Sequence, residues 1–159
     1  MNSERSVVNT FITELRHVSV QKDPLRFRRN LERIGEVMAY ELSKTFDYTE
    51  QDVVSPLGTA HVELADDKPV LATILRAGLP LHQGLLNYFD RADCAFVSAY
   101  RKHRTGEDGF DIEVEYMSSP SLEDRVLIIS DPMLATGRSM ALVYKALLRL
   151  GKPKALHIV

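Results

Sequence analysis

Phe27, Leu31, Ile34, Met38 and Leu42 recur every three or four residues, the spacing of one face of an α-helix. Asp23 ahead of Pro24 suits the start of that helix, a carboxylate N-cap before a proline at the first helical position. The period then shortens. QDVVSPLGTAHVEL, 51 to 64, reads as two short strands around a turn at Pro56-Leu57-Gly58. PVLATIL, 69 to 75, is apolar throughout, as a strand covered on both faces should be. LPLHQGLLNYF, 79 to 89, supplies a helix with Leu81, Leu85 and Phe89 inward, and DCAFVSAY, 93 to 100, a second buried strand.

Polar residues dominate next, in RKHRTGEDG, before FDIEVEYM alternates strictly. Phe110, Ile112, Val114 and Tyr116 fall on one face, Asp111, Glu113 and Glu115 on the other, the pattern of a half-exposed arm of a hairpin that begins near Tyr100. RVLIIS is a third buried strand. Met140, Val143, Tyr144 and Leu147 mark a helix that stops at Gly151, and KALHIV starts a further strand. Strands alternating with helices predict an α/β fold: a parallel sheet flanked by helices, with the antiparallel hairpin as an insert. One domain over 1–159 is expected, a helical segment to about residue 45 and a core from about 46.

Composition narrows the function classes. The chain is 45% hydrophobic and 26% charged, with a formal net charge of -2, so nothing draws it as a whole to nucleic acid or a membrane. No apolar run approaches the ~20 residues that span a bilayer. The single cysteine, Cys94, cannot form an internal disulfide, which suits a reducing, cytoplasmic setting. The five histidines lie far apart, and no histidine–cysteine metal motif is present.

In a parallel sheet, ligands bind beyond the carboxyl ends of the strands, which directs attention to three loops. The first, LRAGLP at 75–80, places Ala77 and Gly78 where a ligand can approach backbone amides beside the start of a helix, with the charge of Arg76 alongside. The plainer alternative is that Arg76 pairs with a carboxylate and Gly78 only makes the turn. The second opens on Arg101, Lys102, His103 and Arg104, cations able to close over a polyphosphate or simply a solvated loop. The third, SDPMLATGRS at 130–139, puts Asp131 at a strand end, where its carboxylate can accept from two adjacent hydroxyls as on a ribose. Small residues follow and bend the chain into a helix whose amides suit a phosphate, with hydroxyls at Thr136 and Ser139. Helix capping by Asp131 or Ser139 is the alternative. A sugar with phosphates at both ends would satisfy all three loops.

DPMLATGRS resembles the phosphoribosyl-pyrophosphate (PRPP) motif of uracil phosphoribosyltransferases, ILRAGLP their pyrophosphate loop, Tyr100-Arg101 the start of their flexible hairpin, and DPLRFRRNLERIGEVMAYEL their N-terminal helix. The resemblance runs from about residue 10 to the end of the sequence. It implies the type I phosphoribosyltransferase fold and the reaction of uracil with PRPP to give UMP and pyrophosphate, a step of pyrimidine salvage. By motif, Asp131 would hold the ribose hydroxyls, and Ala135, Thr136, Gly137, Arg138 and Ser139 the 5'-phosphate. Arg76, Ala77 and Gly78 would bind pyrophosphate, assisted by Arg101. The resemblance further implies Mg2+ carried by PRPP, with no protein-made metal cage, a homo-oligomer (a dimer or higher), and in some relatives a GTP effector. Other type I enzymes carry two acids in a row here, whereas in this chain Ser130 precedes Asp131 and Pro132 follows it.

Three departures stand beside the resemblance. The family's C-terminal, base-binding segment is absent after Val159, so the reading expects a C-terminally incomplete fold, a partial or shortened chain, and weak turnover. Arg138 stands where the family has glycine, which predicts ordinary helical angles for Arg138. EVEY replaces a proline-containing stretch, with Tyr116 still matching. Two rival readings remain at this stage. One is a phosphoribosyltransferase for another base. The other is a non-catalytic PRPP- or nucleotide-binding regulator, RNA-binding through the basic run at 26–29.

Overall fold

The apolar runs at 70–75 and 126–130 lie side by side at the middle of one sheet. The computed structural model describes residues 5–103, 110–133 and 136–159, with the backbone alone at 100–103 and 110–113. In chain order the described elements are α1 (Val8–Arg16), α2 (Pro24–Ser43), β1 (Tyr48–Ser55), β2 (Gly58–Ala65), β3 (Val70–Leu75), α3 (Leu79–Leu86), β4 (Asp93–His103), β5 (Phe110–Ser118), β6 (Val126–Ser130), α4 (Arg138–Leu147) and β7 (Ala155–Ile158). The main sheet runs β5-β4-β3-β6-β7, with β4, β3, β6 and β7 parallel and β5 antiparallel on the edge.

Parity within β3 and β6 divides the core. Val70, Ala72, Ile74, Leu127 and Ile129 pack on one face with Met140, Val143 and Leu147 of α4. Leu71, Val126 and Ile128 point to the other, where Leu85 of α3 and Ala39 of α2 cover them. α2 crosses α3 where Gly35 lies against the Leu81 carbonyl. It starts as its sequence predicts, with Asp23 accepting from the Leu25 and Arg26 amides at 2.9 and 3.1 Å. The sequence pattern does not single out α1. That helix buries no residue fully and is clasped to α2, where Asn30 Nδ2 donates to Glu14 at 2.7 Å and Arg33 lies over the Phe11 ring.

Two features depart from the simple pattern. The register of β4 against β5 slips between Ser98, which pairs with Tyr116, and Ala99, which pairs with Val114. Glu115 is the extra residue of a bulge, so Val114 and Met117 both pack on the core while Tyr116 is 55% exposed. Strict alternation placed Tyr116 on the Val114 face, and the bulge reverses that placement. β1 and β2 form a separate hairpin, closed by Pro56-Leu57, in which only Val62 escapes full exposure. Its base is tied to the sheet by Lys154, which donates to Asp47 at 2.8 Å and pairs with Asp67.

Gly78, just after β3, lies so close to its neighbours that a Cβ there would sit 2.1 Å from Thr73 Oγ1, 2.9 Å from the Ile74 carbonyl and 3.0 Å from that of Ser130. Only the first of these is a side chain. Gly78→Ala should therefore destabilise the protein by about 1–3 kcal/mol in urea unfolding. Adding Thr73→Ala should recover part of the loss and no more, since both carbonyls remain.

His82 on α3 is 4% exposed, its ring lies 5.3 Å from that of Phe96, and neither ring nitrogen has a hydrogen-bond partner among the described residues. Burial pushes its pKa below the ordinary 6.5. Above that value both folded and unfolded chains hold the ring neutral. As pH falls below it, the unfolded chain takes up a proton that the folded one refuses. Stability should then decline by up to about 1.4 kcal/mol per pH unit until the buried ring itself titrates. Urea midpoints between pH 7 and 5 should show this decline, and His82→Leu should flatten it.

Candidate active site

The chain places β4 on one side of β3 and then crosses to place β6 on the other. The crevice at such a reversal opens at the carboxyl ends of the two strands, where the loops after Leu75 and Ser130 emerge together. Side-chain bonds join the strands just below. Thr73 Oγ1 donates to the Ser130 carbonyl, and Ser130 Oγ to the Ala72 carbonyl, each at 3.3 Å. Ser130 is fully buried, so a second acid here would be driven against a carbonyl with no water to solvate it. The carboxylate at this strand end is carried by the next residue.

Asp131, half-buried, is that carboxylate. Its amide donates to the Val159 carbonyl at 2.9 Å, extending the β6–β7 ladder and fixing where the side chain leaves the backbone. Its Oδ1 accepts from the Met133 amide at 3.0 Å, an Asx turn that directs the chain away from the strand. The second oxygen, Oδ2, has no partner among the described residues.

Ala135 lies outside the described residues, as does Arg104. Thr136 is exposed, Gly137 and Ser139 are half-buried, and α4 begins at Arg138. Gly137 has φ 71°, a left-handed angle that a side chain would strain, and nothing lies within 4 Å of where its Cβ would be. The conformational demand thus falls on Gly137 and spares Arg138, whose backbone is helical and whose side chain is exposed. Among the described residues no side chain caps α4, so neither Asp131 nor Ser139 serves as its cap. The amides of its first turn remain available to an anion at the positive end of the helix dipole.

On the β3 side, Arg76 and Ala77 are exposed at the turn, and the Leu75–Arg76 peptide is cis. Arg76 has no carboxylate partner among the described residues, so the plainer alternative for it does not hold there. Gly78 differs from its sequence assignment. It is buried, and its amide donates to the Ile74 carbonyl at 3.1 Å. It closes the turn beneath the loop, and Arg76 and Ala77 form the surface a ligand would meet. Arg101 is on β4, its backbone opposite Ile112.

A cavity of about 690 Å³ joins the two loops. Arg76, Ala77, Asp131 and Met133 line it together with residues of α1 and α2 such as Ile12, Arg16, Phe27, Arg28 and Leu31. The volume is that of a pocket for a small organic molecule. Phe27 and Leu31 had registered only as helix-core positions. An amphipathic stripe shows that a face is covered but not by what, so their place in a ligand cavity was not readable. Asp131, Arg76 and Ala77 share this cavity, whereas Thr136, Gly137, Arg138 and Ser139 are not part of its lining.

Known proteins share both sequence and architecture with this chain. The family model for uracil phosphoribosyltransferase matches residues 2–159. A protein named uracil phosphoribosyltransferase from Porphyromonas gingivalis is 58% identical over 158 residues, covering 99% of this chain and 73% of the relative. Among solved structures, the AQ2163 protein from Aquifex aeolicus superposes with a TM-score of 0.82 at 22% identity, over 99% of this chain and 73% of that one. A hypoxanthine phosphoribosyltransferase from Staphylococcus aureus gives a TM-score of 0.57 at 16% identity, over 83% and 62%. The fold is that of the type I phosphoribosyltransferases, and the chain belongs to the uracil phosphoribosyltransferase family.

Proposed function

We propose that this protein transfers the phosphoribosyl group of PRPP to uracil, giving UMP and pyrophosphate. The observation that carries the reading is the arrangement at the strand ends: the carboxylate of Asp131, with a helix start on one side and an arginine loop on the other that are uncapped and unpaired among the described residues. The RNA-binding rival loses ground, since two of the three arginines in the basic run at 26–29 are engaged within the helices, Arg26 with Glu14 and Arg29 with Glu32.

In this reading Asp131 Oδ2 accepts from the ribose hydroxyls and holds the ring. The first-turn amides of α4 and the hydroxyls of Thr136 and Ser139 take the 5'-phosphate, with Ala135, Gly137 and Arg138 completing the bend. Arg76 and the Ala77 backbone, assisted by Arg101, receive the diphosphate. The ring nitrogen of uracil forms a bond to the anomeric carbon while the carbon–oxygen bond to the diphosphate breaks. The diphosphate leaves with the electron pair, and uracil releases its N–H proton. Positive charge develops on the sugar ring and negative charge on the departing oxygens, so cations fixed beside the leaving group lower the barrier.

Among the described residues no group of three metal-ligating side chains stands together, and Asp131 is already engaged through Oδ1. That donor set fits a magnesium ion held by the diphosphate of PRPP. When bound, the ion would neutralise charge on the leaving group.

Self-association belongs to the same reading. Its support is the β1–β2 hairpin, where Leu57 is fully exposed and Val54 is 84% exposed, an apolar tip on a two-stranded sheet that has little stability alone. A cytoplasmic location and a GTP effector complete the proposal. Among the described residues no helix is long and apolar enough to cross a membrane.

PRPP, magnesium and uracil supplied to the protein should yield UMP and pyrophosphate; turnover only with a purine or orotate would sink the assignment. Asp131→Asn keeps the shape but weakens charge-assisted bonds to the ribose, and should lower kcat/KM for PRPP about 10- to 100-fold. Light scattering at micromolar concentration should give at least twice the chain mass of 18.0 kDa.

A further inference from the structure

The charges around the cavity do not cancel. Arg16 at the end of α1, Arg28 near the start of α2 and Arg76 after β3 all line it, and among the described residues Asp131 is the one carboxylate that does. Other arginines on α2 are committed elsewhere: Arg26 to Glu14 at 3.4 Å, Arg29 to Glu32 at 2.5 Å, and Arg33 to Asn30 at 3.2 Å. Arg28 stands among these without an acidic partner among the described residues, and so does Arg16. The adjoining wall, formed by Phe27, Leu31, Ile34 and Leu81, is apolar, which weakens screening and strengthens the field of the guanidinium groups. Three cations, one acid and an apolar wall make a cavity that is short of an anion.

The place of that anion follows from what lines the cavity and what does not. The α4 start, assigned above to the 5'-phosphate, is not part of its lining, while Asp131 and Arg76 are. On those assignments the cavity joins the ribose carboxylate to the arginine of the diphosphate loop. We infer that Arg28 and Arg16, supplied by the two N-terminal helices, are further substrate-binding residues that hold the diphosphate of PRPP and the pyrophosphate it releases. The inference rests on the PRPP reading and names further cations that line the same cavity as Arg76. Guanidinium groups suit that task, because their paired N–H donors match phosphate oxygens and stay charged at every working pH.

Calorimetric titration of the protein with magnesium pyrophosphate and, separately, with ribose 5-phosphate tests this. Arg28→Met and Arg16→Met keep the apolar stem, and each should weaken magnesium pyrophosphate binding at least tenfold while leaving ribose 5-phosphate within twofold. Arg28→Lys should fall between, and Arg29→Met, which removes a charge already paired with Glu32, should bind both ligands as the unaltered protein does. The inference is overturned if Arg28→Met and Arg16→Met bind magnesium pyrophosphate within twofold of the unaltered protein, or if they lose ribose 5-phosphate equally. Should the unaltered protein bind neither ligand, the PRPP reading falls and this inference falls with it. Should it bind both and the variants bind both, this inference alone fails.

Discussion

Thr73 Oγ1 reaches the Ser130 carbonyl at 3.3 Å, and the Gly78 backbone rests over the same two groups. This three-way contact sets the distance between the loops that carry Arg76 and Asp131. A side chain at 78 would push the first loop away from the second, and a longer residue at 73 would do the same from below. Because β3, up to Ile74, and β6 are buried and parallel, the contact cannot be relieved by either strand shifting without disturbing both core faces. The precision of a site at strand ends comes from this kind of packing. The loops are exposed, but their anchor points are not.

Above the anchor, polar groups divide into those that are satisfied and those left open. Ser130, Asn30 and the Gly78 amide have protein partners and hold structure together. Asp131 Oδ2, the first turn of α4 and the arginines lining the cavity do not have such partners among the described residues. A folded chain ordinarily pairs such groups, and charges facing an apolar wall more than most. Groups left open together in one crevice are better explained by a charged ligand than by oversight in packing, and the mix of one acceptor with several donors suits a sugar phosphate.

Much of this was legible before any coordinates. Continuous apolar runs identify buried parallel strands, because both faces of β3 and β6 are covered, and the parity of their residues then assigns each side chain to α4 or to α3. The three loops follow from the strand order, and Asp131 and Arg76 follow from the loops. What could not be read depends on contacts distant in sequence. The bulge at Glu115 inserts one residue without breaking the polar–apolar rhythm, so the exposure of Tyr116 is invisible in FDIEVEYM. Gly78 carries no mark distinguishing a glycine that greets a ligand from one pressed beneath a loop. α1 has an apolar stripe but buries nothing fully, and its role as a cavity wall appears only once α2 is laid across α3.

Arg138 shows how the two levels of reading meet. In a bend that serves a phosphate, one residue must take the left-handed angle, and glycine does so with least strain. Gly137 takes it, with φ 71°, and the next residue already belongs to α4. The glycine that the motif resemblance leads one to expect at 138 is therefore not required by backbone geometry in this chain. What position 138 contributes to a phosphate is its amide, which any residue except proline supplies. The side chain is then free to vary, and an exposed arginine there adds positive charge beside a helix start without altering the path of the chain.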